Sequence, residues 1–65
     1  MKYVIMADIH GERYYSGAGL YDDVRFAYKF VCRADADGLL AHLIATDYHW
    51  RVHYGNPRVV EHDAP

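Results

Sequence analysis

The chain has 65 residues, 52% of them apolar and 25% charged, with a formal net charge of −2. That length admits one domain, spanning 1–65. The balance argues against a disordered chain, and the small negative charge argues against a general pull toward nucleic acid. No run is long enough for a signal segment or a membrane span. The single cysteine, Cys32, cannot form an internal disulfide, so a reducing cytoplasm is the expected location. Seven tyrosines against two Phe and one Trp supply apolar area with a polar tip, which suits both a thin core and a binding face.

Lys2–Ile9 reads as a first strand. Tyr3, Val4, Ile5 and Met6 are apolar in succession, so both faces are expected to be covered and the strand to be central, although so short a run does not exclude helix. His10-Gly11 is a turn, because Gly11 can take a positive φ. Arg13–Ser16 returns antiparallel, and Gly17-Ala18-Gly19 breaks regular structure. Leu20–Asp23 continues as a loop. It leads to a short helical turn at Val24–Ala27 with Asp22 or Asp23 as N-cap. Tyr28–Val31 reads as a third short strand with Tyr28 and Phe30 on one face.

Ala36, Leu39, Leu40, Leu43 and Ile44 share one helical stripe. Asp35 and Asp37 are placed in the first turn, where the helix dipole favours negative charge. Gly38 costs about 1 kcal/mol in a helix relative to Ala, and close packing against a strand is its expected reason. Tyr48–Tyr54 alternates strictly. Tyr48, Trp50, Val52 and Tyr54 are assigned to the core side, and His49, Arg51 and His53 to an open sheet face. Gly55-Asn56-Pro57 reads as a turn, Arg58–Glu61 as an edge strand, and His62–Pro65 as a frayed tail. The expectation is an α+β domain of two layers, β-β-β-α-β-β. Its sheet has four to five mostly antiparallel strands, with one helix packed on one face.

Asp8-Ile9-His10-Gly11, ending a hydrophobic strand, resembles the opening motif of the calcineurin-like metallophosphoesterases. The resemblance implies a metal-dependent phosphoesterase using Asp8 and His10. Two cations about 4 Å apart need many more ligands. The later Gly-Asp-x-x-Asp, Gly-Asn-His and Gly-His motifs are missing, with Pro57 following Gly55-Asn56. On a strand, His49 and His53 lie about 13 Å apart, too far to share a metal with ~2.1 Å bonds, and His42 and His62 would have to converge on one of them. Cys32 beside Arg33 near a helix start has a thiol-activating setting, yet it also fits as a small buried residue or in place of a Ser cap. Ser16 has no nucleophile elbow. The expectation is therefore no enzyme, no metal and no cofactor. Arg51 with two histidines is a poor footprint for nucleic acid, so direct nucleic-acid binding is the weaker alternative.

The acidic pairs Asp22–Asp23 and Asp35–Asp37 have cap and dipole roles. If they share one side they form a carboxylate patch able to occupy a phosphate-binding groove on a partner. Tyr14, Tyr15 and Tyr21, taken as exposed, would anchor that contact. The pattern Gly11-x-x-Tyr14-Tyr15-Ser16-Gly17-x-Gly19, then Asp22-Asp23, Ala27-x-x-Phe30-x-Cys32-Arg33-x-Asp35-Ala36 and Leu39-Leu40 resembles a type of small phage and prophage protein. Cys32 stands where that type has a Ser or Thr cap. The resemblance implies a mobile-element setting. It also implies a non-enzymatic inhibitor that blocks a host protein or ribonucleoprotein complex handling nucleic acid, an anti-CRISPR protein being its most concrete form.

Overall fold

Apolar side chains on both faces of a short run demand cover on both sides. Lys2–Asp8 (β1) receives it in the computed structural model, which describes residues 1–62. The other strands are Glu12–Tyr15 (β2), Leu20–Tyr21 (β3) and Gly55–His62 (β4), in the spatial order β3-β2-β1-β4. All pairings are antiparallel. One long helix, Arg33–Thr46 (α1), completes an α+β domain with the helix on one face of the sheet.

The pleat of β1 sorts the core in two. Ile5 and Ala7 face α1 and pack with Phe30, Ala36 and Trp50, joined by Leu39, Leu40, Leu43 and Val59. Val4 and Met6 face the other way and pack with Ala27, Val24, Tyr14 and Val60. Each fully buried Val or Ile contributes about 1.5–3 kcal/mol relative to exposure. The second sheet face is therefore not open, as the sequence led us to expect. A 3-10 turn, Val24–Phe26, lies against it. Asp23 is its N-cap, accepting a hydrogen bond from the Arg25 backbone N–H at 2.9 Å.

From this turn the chain crosses to the helix side. Tyr28 donates its N–H to the Tyr15 carbonyl at 2.8 Å, and Phe30 exchanges two 2.8 Å backbone bonds with Tyr3. The expected strand at Tyr28–Val31 is thus reduced to one bridge. Its residues fill the place beside β1 that a longer β2 would occupy. Tyr28 stays exposed while Phe30 is buried.

The hairpin tip matches its sequence. His10 and Gly11 both take positive φ, 54° and 112°, the region where glycine has no Cβ penalty. The stripe on α1 also forms, with Ala36 fully buried. Cys32 holds the N-cap position in an extended conformation, makes no side-chain cap bond, and is exposed rather than buried. Asp35 lies in the first turn, while Asp37 falls one turn later and pairs with Arg33 at 3.7 Å.

Gly38 is exposed, and a Cβ built there meets nothing within 4 Å. Packing does not explain it. Gly38→Ala should therefore stabilise the domain by about 1 kcal/mol. The increase should appear as a higher urea midpoint at unchanged slope.

Leu20–Tyr21, expected as loop, pairs with β2 as β3, and two further regions depart from their sequence pattern. Tyr48–Tyr54 is not a strand. Asp47 ends α1 and at once starts a new turn, its Oδ1 accepting from the His49 N–H at 2.9 Å and its carbonyl from the Arg51 N–H at 3.1 Å. A wide turn over His49–His53 is closed by Tyr54 N–H to the His49 carbonyl, 2.8 Å. Trp50 points inward, but Tyr48 and Val52, assigned to the same core side, are exposed.

Gly55-Asn56-Pro57 is the start of β4 instead of a free turn. Its turn chemistry becomes a bulge. Met6 pairs with Arg58 and Asp8 with Gly55, so β4 spends an extra residue there, with Asn56 at φ 46°. His62 is not frayed: it pairs with Lys2. The remainder of the expected tail, 63–65, lies outside the described residues.

Candidate functional site

Asp8 and Glu12 face each other across the hairpin. Arg58 on β4 reaches both carboxylates, at 3.4 and 3.3 Å. The motif that resembles a metal-binding opening thus carries an ion pair and a turn. Exposed pairs of this kind contribute at most about 1 kcal/mol. They fix the hairpin end rather than the stability.

The wide turn also changes the histidine geometry. His49 and His53 are one turn apart with ring centroids 5.3 Å from each other, not separated along a strand. Tyr48 stands edge-on to His53 at 5.0 Å, and Tyr54 is stacked on His49 at 5.9 Å and 22°. No group of three or more His, Cys, Asp or Glu side chains is arranged to hold a metal ion among the described residues.

The seven candidate contact residues do not fall on one surface. Asp22 and Asp23 lead into the turn that covers the Val4–Met6 face, whereas Asp35 and Asp37 lie on α1, over the Ile5–Ala7 face. Arginine sits close to three of the four. Asp22 is 3.8 Å from Arg13, Asp37 is 3.7 Å from Arg33, and Asp23 is 2.7 Å from Arg25. Side-chain hydrogen bonds from Arg25, then the Arg25 backbone N–H, hold the Asp23 carboxyl below its usual range. The same pairing raises Arg25. Asp35 has no cationic neighbour among the described residues.

The tyrosines separate as well. Tyr14 and Tyr15 are consecutive on β2 and must point to opposite faces. Both are half-buried rather than exposed, Tyr14 against Val4 and Met6 and Tyr15 against the helix-side core. Of these three tyrosines, Tyr21 alone is exposed.

What the fold does place outward is a series of apolar groups on one segment. Along Tyr21–Val31, the side chains of Val24, Ala27 and Phe30 turn in. Tyr21, Phe26, Tyr28 and Val31 turn out, with Phe26 59% and Val31 72% exposed. Tyr21 and Phe26 have ring centroids 5.6 Å apart, and Arg25 lies over the Phe26 ring at 5.9 Å. No protein-family model, curated protein or solved structure matches this chain. The site therefore rests on its own geometry.

A second feature is concave. Tyr15, Leu20, Leu43, Asp47, Trp50 and Tyr54 line a cleft of about 350 Å³ between the end of α1 and the Gly17–Leu20 bend. A smaller hollow of about 210 Å³ shares Tyr15 and Gly17 with it and extends to Tyr28 and Phe30. The bend is held open by Ser16, whose backbone N–H and hydroxyl both donate to the Gly19 carbonyl, at 3.0 and 2.9 Å. Gly17 and Gly19 take φ of 90° and 157° to allow it. Among the described residues no helix is long and apolar enough to cross a membrane.

Proposed function

We propose that this chain is a non-enzymatic protein-binding inhibitor. It binds a host protein or ribonucleoprotein complex that handles nucleic acid and blocks it by occupying its surface. The observation that carries this reading is the exposed pair Tyr21 and Phe26, ring centroids 5.6 Å apart beside the anchored Val24–Phe26 turn, with Tyr28 and Val31 continuing the exposed apolar residues as the chain passes to the helix side. Aromatic side chains held in place by a core lose little freedom on binding, and such residues dominate interface energies. Asp22, exposed at the end of this set, adds charge that favours a basic partner.

The sharper form of the reading is an inhibitor of mobile-element origin, acting in the host cytoplasm on a CRISPR effector. It rests on the Tyr14-Tyr15-Ser16-Gly17-x-Gly19 resemblance. The placement of the acids changes how the contact works: apolar anchoring comes first, and the carboxylates steer.

The test uses capture from host lysate followed by measured affinity for the captured complex. Tyr21→Ser with Phe26→Ser should weaken binding at least tenfold, about 1.4 kcal/mol. Asp22→Lys should reduce its salt dependence. Asp22 is chosen over Asp23 because Asp23 also caps the 3-10 turn. Undiminished affinity in the double serine variant would remove this surface from the mechanism.

A further inference from the structure

The cleft at the end of α1 plays no part in the reading above, and its chemistry is specific. Trp50 forms its floor, 4% exposed. Tyr15 and Tyr54 stand steeply to the indole, at 67° and 80°, with ring centroids 6.0 and 5.2 Å from it. The three aromatic residues line the cleft together. His49 is stacked on Tyr54. Leu20 and Leu43 complete the lining.

Among the described residues, Asp47 is the one charged residue that lines the cleft. Its Oδ1 is engaged by the His49 N–H, and Oδ2 accepts no hydrogen bond among the described residues. Asp47 is also the C-cap of α1, and the last helical turn carries no basic side chain. The negative end of the helix dipole is thus left without a cationic complement. The aromatic lining, the acidic residue and the helix end all favour a cation in this cleft. A primary ammonium carries three N–H donors that need acceptors, and the one charged acceptor here is already half used. A cation with an apolar surface needs none, and its diffuse charge suits aromatic faces.

We propose that this cleft binds a trimethylammonium group. The volume, about 350 Å³, lies at the small end of the ~300–1,000 Å³ range of small-ligand sites. That group is carried both by choline-type compounds and by a trimethylated lysine side chain, and the two are separable in the same experiment.

Trp50 is the only tryptophan, so its emission reports on the cleft directly. The unmodified chain is titrated with choline, with acetyl-trimethyllysine methylamide, and with 3,3-dimethyl-1-butanol, the uncharged isostere of choline. Sodium chloride serves as the ionic-strength control, and amide NMR shifts locate the response. A saturable change is expected with one or both cations, at least tenfold tighter than with the alcohol. The tighter of the two cations identifies the source. Asp47→Asn keeps the acceptor for the His49 N–H and should lose at least fivefold in cation affinity, with the amide spectrum otherwise retained. Equal affinity for the alcohol, or no saturable response to either cation, would overturn the proposal. These comparisons need no variant, so a poorly folded Asp47→Asn would leave the decision intact.

Discussion

Trp50→Ala should destabilise the domain by about 3–5 kcal/mol, the usual cost of removing a large buried aromatic. A chain of 65 residues has a total stability of only roughly 3–10 kcal/mol at 0.05–0.15 kcal/mol per residue. The variant should therefore sit at the edge of unfolding at room temperature. The loss is large because Trp50 joins separate parts of the fold. It packs in the helix-side core with Ile5, Phe30 and Ala36, and its ring meets Tyr15 of β2 and Tyr54 before β4. Urea denaturation followed by far-ultraviolet circular dichroism measures this without needing the indole. Val52→Ala is the matched comparison. Val52 is 56% exposed and should change stability by less than about 0.5 kcal/mol. A strand at Tyr48–Tyr54 places the two side chains on one buried face and predicts serious losses from both. Similar losses in the two variants would contradict the wide turn.

Ile5→Ala should cost about 2–5 kcal/mol. Ile5 is completely buried in the central strand and faces α1. Neighbours on every side are held by the sheet and the helix, so the cavity cannot collapse freely. Ile5→Val, which removes one methylene, should cost about 0.5–1.5 kcal/mol. The urea midpoints of the two variants should fall in that order at unchanged slope. If Ile5→Ala loses less than 1 kcal/mol, then α1 does not pack on this face.

The two core variants also bear on how much of the fold could be read from residues. β1 was legible because its apolar run had no polar face, as a strand with cover on both sides tolerates, and because Val and Ile favour pleated structure. The hairpin tip and the α1 stripe were legible because turn chemistry and the 3.6 period are local. Tyr48–Tyr54 misled for a definite reason. In seven residues, alternation by two and recurrence by four both fit, since Trp50 and Tyr54, like His49 and His53, are four apart. Asp47 decides between them by capping the new turn, a signal present in the sequence but weaker than the pattern. Glycine and proline at Gly55–Pro57 marked an irregularity correctly, yet a bulge and a turn use the same residues.

The candidate site was less legible. That Tyr14 and Tyr15 cannot share a face follows from strand geometry alone. The separation of the two acid pairs does not. It depends on Tyr28–Phe30 carrying the chain from one side of the sheet to the other, which no local pattern encodes. The cleft is further out of reach, because Tyr15, Asp47 and Tyr54 come from distant stretches that meet only in the finished fold.

The pairing of β1 with β4 joins Lys2 to His62, nearly the two ends of the described chain. A nascent polypeptide that has not yet emerged as far as β4 therefore presents its most apolar strand with one side bare. Until those eight residues leave the ribosome, that bare edge offers unpaired amide and carbonyl groups to any extended segment nearby, including the same strand of another copy. Removing β4 should then make the domain self-associate more strongly than the full chain does.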